Sequence, residues 1–266
     1  MENEWDEESG ETEGDVVCRL RKRSKRDNWL AIRRRSSPIQ LARCIKVVYS
    51  EQRMAIKEMG FGRLLKFKVD GMPAKLANYM VEMFNPSTME LNFPCGNTKV
   101  NVEAIQKLLG IPHTSVNLSS RPNLAEMDET VRRWKDRFPG RYGCLRPCIL
   151  DHITGELDFA SINWCQLVLE KLKKCKNSWK SNDLNRPFTG SLTVLILLYM
   201  DSVRCRGMEV DYSIYPMTFW IKEKLKKREK VEICSGGFGS GKLKSLTICT
   251  EKMDDEPTIQ VCKDNI

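Results

Sequence analysis

Gly236, Gly241 and Lys242 stand at the spacing of a phosphate-binding loop, in which backbone amides cradle phosphate oxygens and the lysine neutralises them. The next position, where a metal-ligating Ser or Thr belongs, is Leu243. Such a loop also needs a buried strand before it and a helix after it, so that amides and a helix terminus converge on the anion. Here a charged helical pattern precedes, and residues 243–249 offer only a weak strand. The run Ser235, Gly236, Gly237, Phe238, Gly239, Ser240 therefore reads as a glycine-rich turn rather than a nucleotide site.

Cys144, Cys148 and His152 recur every four residues and would line one helical face as zinc ligands. Pro147 interrupts that stretch, a fourth ligand is missing within reach, and ordinary buried thiols are the simpler reading. The chain has only two histidines, His113 and His152, and no cysteine stands in the setting of an activated nucleophile. Asp254 and Asp255 fall in a polar tail and read as solvated. No catalytic residue, metal or cofactor is expected from these patterns.

The 266 residues are 41% hydrophobic and carry a formal net charge of +9 with pI near 9.0, enough for a globular centre and a bias toward anionic partners. The first fifteen residues hold eight acids and no basic-then-apolar leader, so the eleven cysteines read as reduced thiols of an intracellular protein. Charge then reverses at Arg19, Arg21, Lys22, Arg23, Lys25 and Arg26, and again at Arg33, Arg34 and Arg35. Two basic clusters at that separation suit the two-pocket geometry of a nuclear import receptor, or contact with nucleic acid. A solvated basic face, or an electrostatic clamp on the acidic head, would account for the same residues. The most apolar run, 192–200, is too short to cross a bilayer, and no membrane partner is expected.

Periodicity supplies the elements that would carry these groups. Ser50 and Glu51 open a short helix with Ala55, Ile56 and Met59 inward, and Gly60 ends it in the left-handed conformation. Phe61, Leu64 and Leu65 would anchor the next turn. Residues 74–84 place Leu76, Ala77, Met80, Val81 and Phe84 on one face, stopping before Pro86. Residues 89–93 and 99–102 alternate around Pro94, Cys95, Gly96 and Asn97 as a small hairpin. A helix over 102–109 follows, with Ile105, Leu108 and Leu109 on one face and Gly110 and Pro112 as stops.

Leu124, Met127, Val131, Trp134 and Phe138 form the clearest amphipathic stripe in the chain. A further helix with Trp164, Cys165, Val168, Leu169 and Leu172 is capped near Asn163. A nonpolar helix spans about 190–203, and a basic one spans 219–232 with Lys222, Lys224, Lys226, Lys227, Arg228 and Lys230. The fold class expected is mainly α: an irregular helical domain with a small β-hairpin around 89–102. Residues 1–37 form a disordered acidic then basic tail, 38–242 the helical region, and 243–266 a weakly ordered C-terminal tail.

Two glycine-aromatic-glycine elements, Met59, Gly60, Phe61, Gly62 and Gly236, Gly237, Phe238, Gly239, bracket that region. With Phe84-Asn85-Pro86, residues 102–112, Ile162-Asn163-Trp164-Cys165, residues 192–201 and residues 228–235, they carry a resemblance. Across roughly 38–242 the chain resembles the plant transposon-derived proteins related to the aminotransferase-like plant mobile domain, often found N-terminal to a SUMO-protease-like cysteine peptidase. Similar proteins carry an extra helical stretch where this chain passes directly from Phe159 to Ile162. The peptidase domain would follow position 242 and needs His, Asp, Gln and Cys. The two dozen remaining residues hold no His and no Gln-to-Cys motif, so protease activity is not carried over. Nor does the family label imply aminotransferase chemistry, for which no Schiff-base lysine stands in a phosphate cup.

The resemblance and the charge pattern together imply a non-enzymatic, transposon-derived nuclear binding domain. Its partners would be a nuclear import receptor, a nuclear protein of unknown identity and nonspecific nucleic acid. An accessory or fragmentary N-terminal module of a SUMO-protease-like peptidase is the alternative, and direct DNA binding by the 219–232 helix is a third reading.

Overall fold

Several helices among the described residues begin where a side chain or a proline deals with the first unpaired amides. The computed structural model describes residues 37–118, 129, 158–180 and 187–244. Within them, Pro38 precedes α1 (Ile39–Lys46) and Pro73 precedes α3 (Ala74–Met83). Asn101 Oδ1 accepts from the Ala104 amide at 2.9 Å to start α4 (Val102–Leu109), and Gly110 at φ 60° closes that helix. Asn163 Oδ1 accepts from the Gln166 amide at 2.9 Å to start α5 (Trp164–Ser178), the cap that the sequence predicts. The acidic head, the basic clusters from Arg19 to Arg35, the stripe over 124–138, Cys144, Cys148, His152 and the tail from 245 lie outside the described residues.

The domain is mainly helical with a small antiparallel sheet, as the sequence predicts. At its centre runs α6 (Leu192–Ser202), whose residues 194–200 are all buried, whichever side of the helix they lie on. It packs against α3, α4 and the short α7 (Pro216–Phe219), which is why no polar face survives on it. Each such leucine or isoleucine withdrawn from water contributes about 1.5–3 kcal/mol. The expected face of α3 is fully realised, with Leu76, Ala77, Met80 and Val81 each at 0% exposure.

Three local features differ from the sequence reading. In α2 (Ser50–Ile56) Ala55 is exposed, and only Ile56 and Met59 are half-buried. A π-helical turn over Lys57–Phe61 shifts the phase of the apolar stripe before Gly60, at φ 82°, ends it. The hairpin pairs β2 (Glu90–Phe93) with β3 (Gly96–Lys99), so the second strand starts at Gly96 rather than 99. Its turn is only Pro94 and Cys95, and Gly96 reaches φ 126° to follow it; residue 101 is already the cap of α4. A two-residue strand, β1 (Phe84–Asn85), joins on the other side of β2, giving the order β1-β2-β3.

The basic helix is the third. It is α8 (Lys222–Cys234), separated from α7 by Trp220, which is 1% exposed. The Lys222 amide donates to Asp70 Oδ1 at 3.0 Å, so its start is set by a residue 152 positions away. A second pair of short strands, β4 (Val203–Arg204) and β5 (Lys242–Leu243), closes the fold in antiparallel register.

Candidate functional site

The first glycine element forms a joint. Gly60 is left-handed, and a Cβ there would stand 2.8 Å from Pro112 Cγ. Phe61 meets the Trp164 ring edge-on at a centroid distance of 5.5 Å, while Phe159 stacks on Trp164 at 6.1 Å. Trp164 Nε1 donates to the Phe159 carbonyl at 2.8 Å, and its backbone amide donates to the Pro112 carbonyl at 3.1 Å. Met59 and Gly62 flank this joint, half-buried. Trp164 and Met59 to Gly62, picked out separately in the sequence, are thus brought together around Pro112.

The second element is pinned from beneath. Gly236, Gly237 and Gly239 have φ of 112°, 104° and 74°, which side-chain-bearing residues rarely adopt. Phe238 is 4% exposed and packs on Tyr79 at 5.1 Å between ring centroids. The Gly237 amide donates to the Glu232 carbonyl at 2.8 Å, and the Gly239 amide donates to the Tyr199 hydroxyl at 2.8 Å. Tyr199 in turn donates to Glu232 Oε2 at 2.6 Å, and Arg228 Nε donates to Glu232 Oε1. Arg228 Nη2 donates to the Val203 carbonyl at 2.7 Å.

This network is sealed. Arg228 is 0% exposed and Glu232 3%. Burial is the largest single influence and works against the guanidinium charge, yet the Glu232 carboxylate and its hydrogen bond, together with Cys205 and Tyr199, outweigh it and hold the Arg228 pKa above its ordinary value. Burial, and then the Glu232 charge, push Tyr199 up as well. Two amides that a phosphate-binding loop would offer to an anion are instead spent on Glu232 and Tyr199, which gives the glycine-rich turn its physical reason.

On α8, Lys222, Lys226, Lys227 and Lys230 are exposed, and Lys224 sits 3.4 Å from the Phe219 ring centroid. Arg228 does not belong to that surface. The five cysteines Cys44, Cys95, Cys165, Cys175 and Cys205 are free thiols, as expected, whereas Cys234 is disulfide-bonded, a departure from the all-reduced reading. Cys165 is 0% exposed, and burial pushes its thiol up to about 12. His113 is half-buried in the loop after α4.

The sequence gives no sign of a cleft of about 670 Å³ that opens between β3, α4, the end of α6 and β5. Lys99, Lys107 and Lys244 supply its cations, Glu103 and Asp201 its carboxylates, and Leu108, Leu198 and Leu243 its apolar floor. Asp201 pairs with Lys107 at 3.2 Å and with Lys244 at 4.0 Å, and Lys244 also lies 4.3 Å from the Tyr212 ring centroid. These residues come from four segments spread over 146 positions, each unremarkable in its own stretch.

A family model described as Domain of unknown function (DUF8566) matches residues 34–145. That span holds α1 to α4, the whole sheet β1-β2-β3 and the first glycine element, and it stops before α5. No curated protein and no solved structure matches the chain.

Proposed function

We propose that this chain is a non-enzymatic nuclear interaction domain, recruited from or left by a mobile element of the plant mobile-domain type, that works by binding protein and nucleic acid. One observation carries the reading. The ionisable groups held deepest in the described residues, Arg228, Glu232 and Tyr199, face one another and the backbone instead of a solvent-reachable space. The motif residues around Gly60, Trp164 and Gly239 are engaged in the same way, as joints of a scaffold. Charge at the surface, such as Lys222, Lys226, Lys227 and Lys230 of α8, is left for partners. Phosphate backbones reward such lysines by counterion release.

The basic clusters supply import in this reading. Replacing Arg19, Arg21, Lys22, Arg23, Lys25, Arg26, Arg33, Arg34 and Arg35 by alanine is expected to abolish nuclear accumulation of a fluorescent fusion in plant cells. Unchanged import rejects that role. Duplex DNA affinity of the full chain is expected to fall steeply with added salt, and a flat salt profile removes phosphate contacts from the account.

A further inference from the structure

The cleft beside β3 has the features of a peptide groove. β3 is the edge of its sheet, and Asn97, Thr98 and Lys99 line the cleft along that edge. The register pairs Phe93 with Gly96 across a two-residue turn and Leu91 with Thr98. In such a hairpin the flanking pair exchanges both backbone hydrogen bonds and the next pair none, alternately. Gly96 and Thr98 therefore bond to β2, while the amides and carbonyls of Asn97 and Lys99 point outward along the cleft. An unpaired row of this kind is a template for one more strand.

The surroundings narrow what that strand would be. Leu108, Leu198 and Leu243 floor the cleft, which suits an apolar side chain from alternate positions of an extended segment. Asp201 is neutralised by Lys107 and Lys244, and its side chain is 16% exposed. Lys99 is exposed and, among the described residues, has no carboxylate within ion-pair distance, although Glu90 lies opposite it in the ladder. Three lysines against Glu103 and Asp201 leave the cleft with a net positive charge at the β3 end.

We propose that this cleft binds an extended segment of a partner protein that adds as a strand to the outer edge of β3, with an apolar side chain over the leucine floor and an acidic side chain beside Lys99. The inference rests on the interaction-domain reading and names the class of partner. Import is read in a separate assay, so failure of the nuclear-targeting role leaves this test intact.

The test uses the full chain and a fluorescein-labelled set of hexapeptides that alternate valine or leucine with threonine, each with one glutamate at a varied position. A lysine-for-glutamate set serves as control. Saturable anisotropy is expected for the glutamate set at least tenfold tighter than for the lysine set, with slowed amide exchange at Asn97 and Lys99 in the complex. Lys99→Glu is expected to reverse the charge preference. Asn97→Pro removes one outward amide without touching a β2 bond, and is expected to abolish binding while the melting temperature stays within a few degrees. Absence of saturable binding by every peptide overturns the proposal, as does binding that leaves the Asn97 and Lys99 amides exchanging freely. If Asn97→Pro fails to fold, the exchange measurement on the unaltered chain decides.

Discussion

Replacing Arg228 by leucine would leave the Glu232 carboxylate buried with the Tyr199 hydroxyl as its remaining side-chain donor, 2.6 Å away. Replacing Glu232 by leucine would strand a guanidinium that is 0% exposed, with the Val203 carbonyl as its hydrogen-bond acceptor. Breaking a buried ion pair from one side costs about 3–5 kcal/mol, because the partner charge keeps its desolvation penalty. Removing both charges together relieves that penalty and forfeits hydrogen bonds to Tyr199 and Val203, about 1 kcal/mol apiece. The double variant is therefore expected to be no less stable than either single one, and the cycle to return a coupling of at least about 3 kcal/mol. Urea denaturation followed by tryptophan fluorescence measures all four proteins, and in a domain of this size each single variant should melt roughly 10 °C lower. Because the Glu232 carboxylate holds the Tyr199 hydroxyl, which in turn accepts from the Gly239 amide, the singles should be cleaved faster by trypsin at Lys242. Costs that simply add, with coupling below about 0.5 kcal/mol, would refute the pairing as the source of stability.

Gly60→Ala is expected to cost about 1–3 kcal/mol, since it combines a φ of 82° with a Cβ 2.8 Å from Pro112 Cγ. Gly207→Ala, at φ 78° with open space around it, should cost less, and equal losses in thermal melts would show that the Pro112 contact is immaterial. Iodoacetamide at pH 8 is expected to label exposed Cys44 in the native protein and Cys165 only after denaturation, as read by peptide mass spectrometry. The Cys165 thiol rises from 9.0 to about 12, so the folded form holds its proton more tightly than the unfolded one. Its contribution is complete below pH 9 and is lost as pH climbs toward 12; Cys165→Ala should flatten that part of the alkaline stability profile.

What could be read in advance follows from how local each cause is. The stripe of α3, the Asn163 cap, the left-handed Gly60 and the stop at Gly110 are each written within a few residues, and all appear as expected. β3 was harder, because Gly96-Asn97-Thr98-Lys99 shows no apolar alternation and takes its place from a proline-cysteine turn and from β2. Arg228 and Glu232 sit among lysines at a spacing typical of a solvated helix face. What buries them is Tyr199, 33 positions before Glu232, and the returning glycine loop, neither of which helical periodicity can register. The cleft was invisible for the same reason, its cations being gathered from β3, α4 and the residue after β5.

The last described turn of the chain closes over some of its earliest packed rings. Gly239 is held by Tyr199, and Phe238 lies on Tyr79, while Glu229 Oε2 accepts from the Leu76 amide at 2.9 Å. During synthesis, α3 leaves the ribosome with the Tyr79 ring bare, and some 160 further residues must follow before Phe238, which lies on that ring, emerges. At elongation rates of roughly 5–20 residues per second that interval is about 10–30 s, long enough for a nascent chain to need a chaperone's shelter.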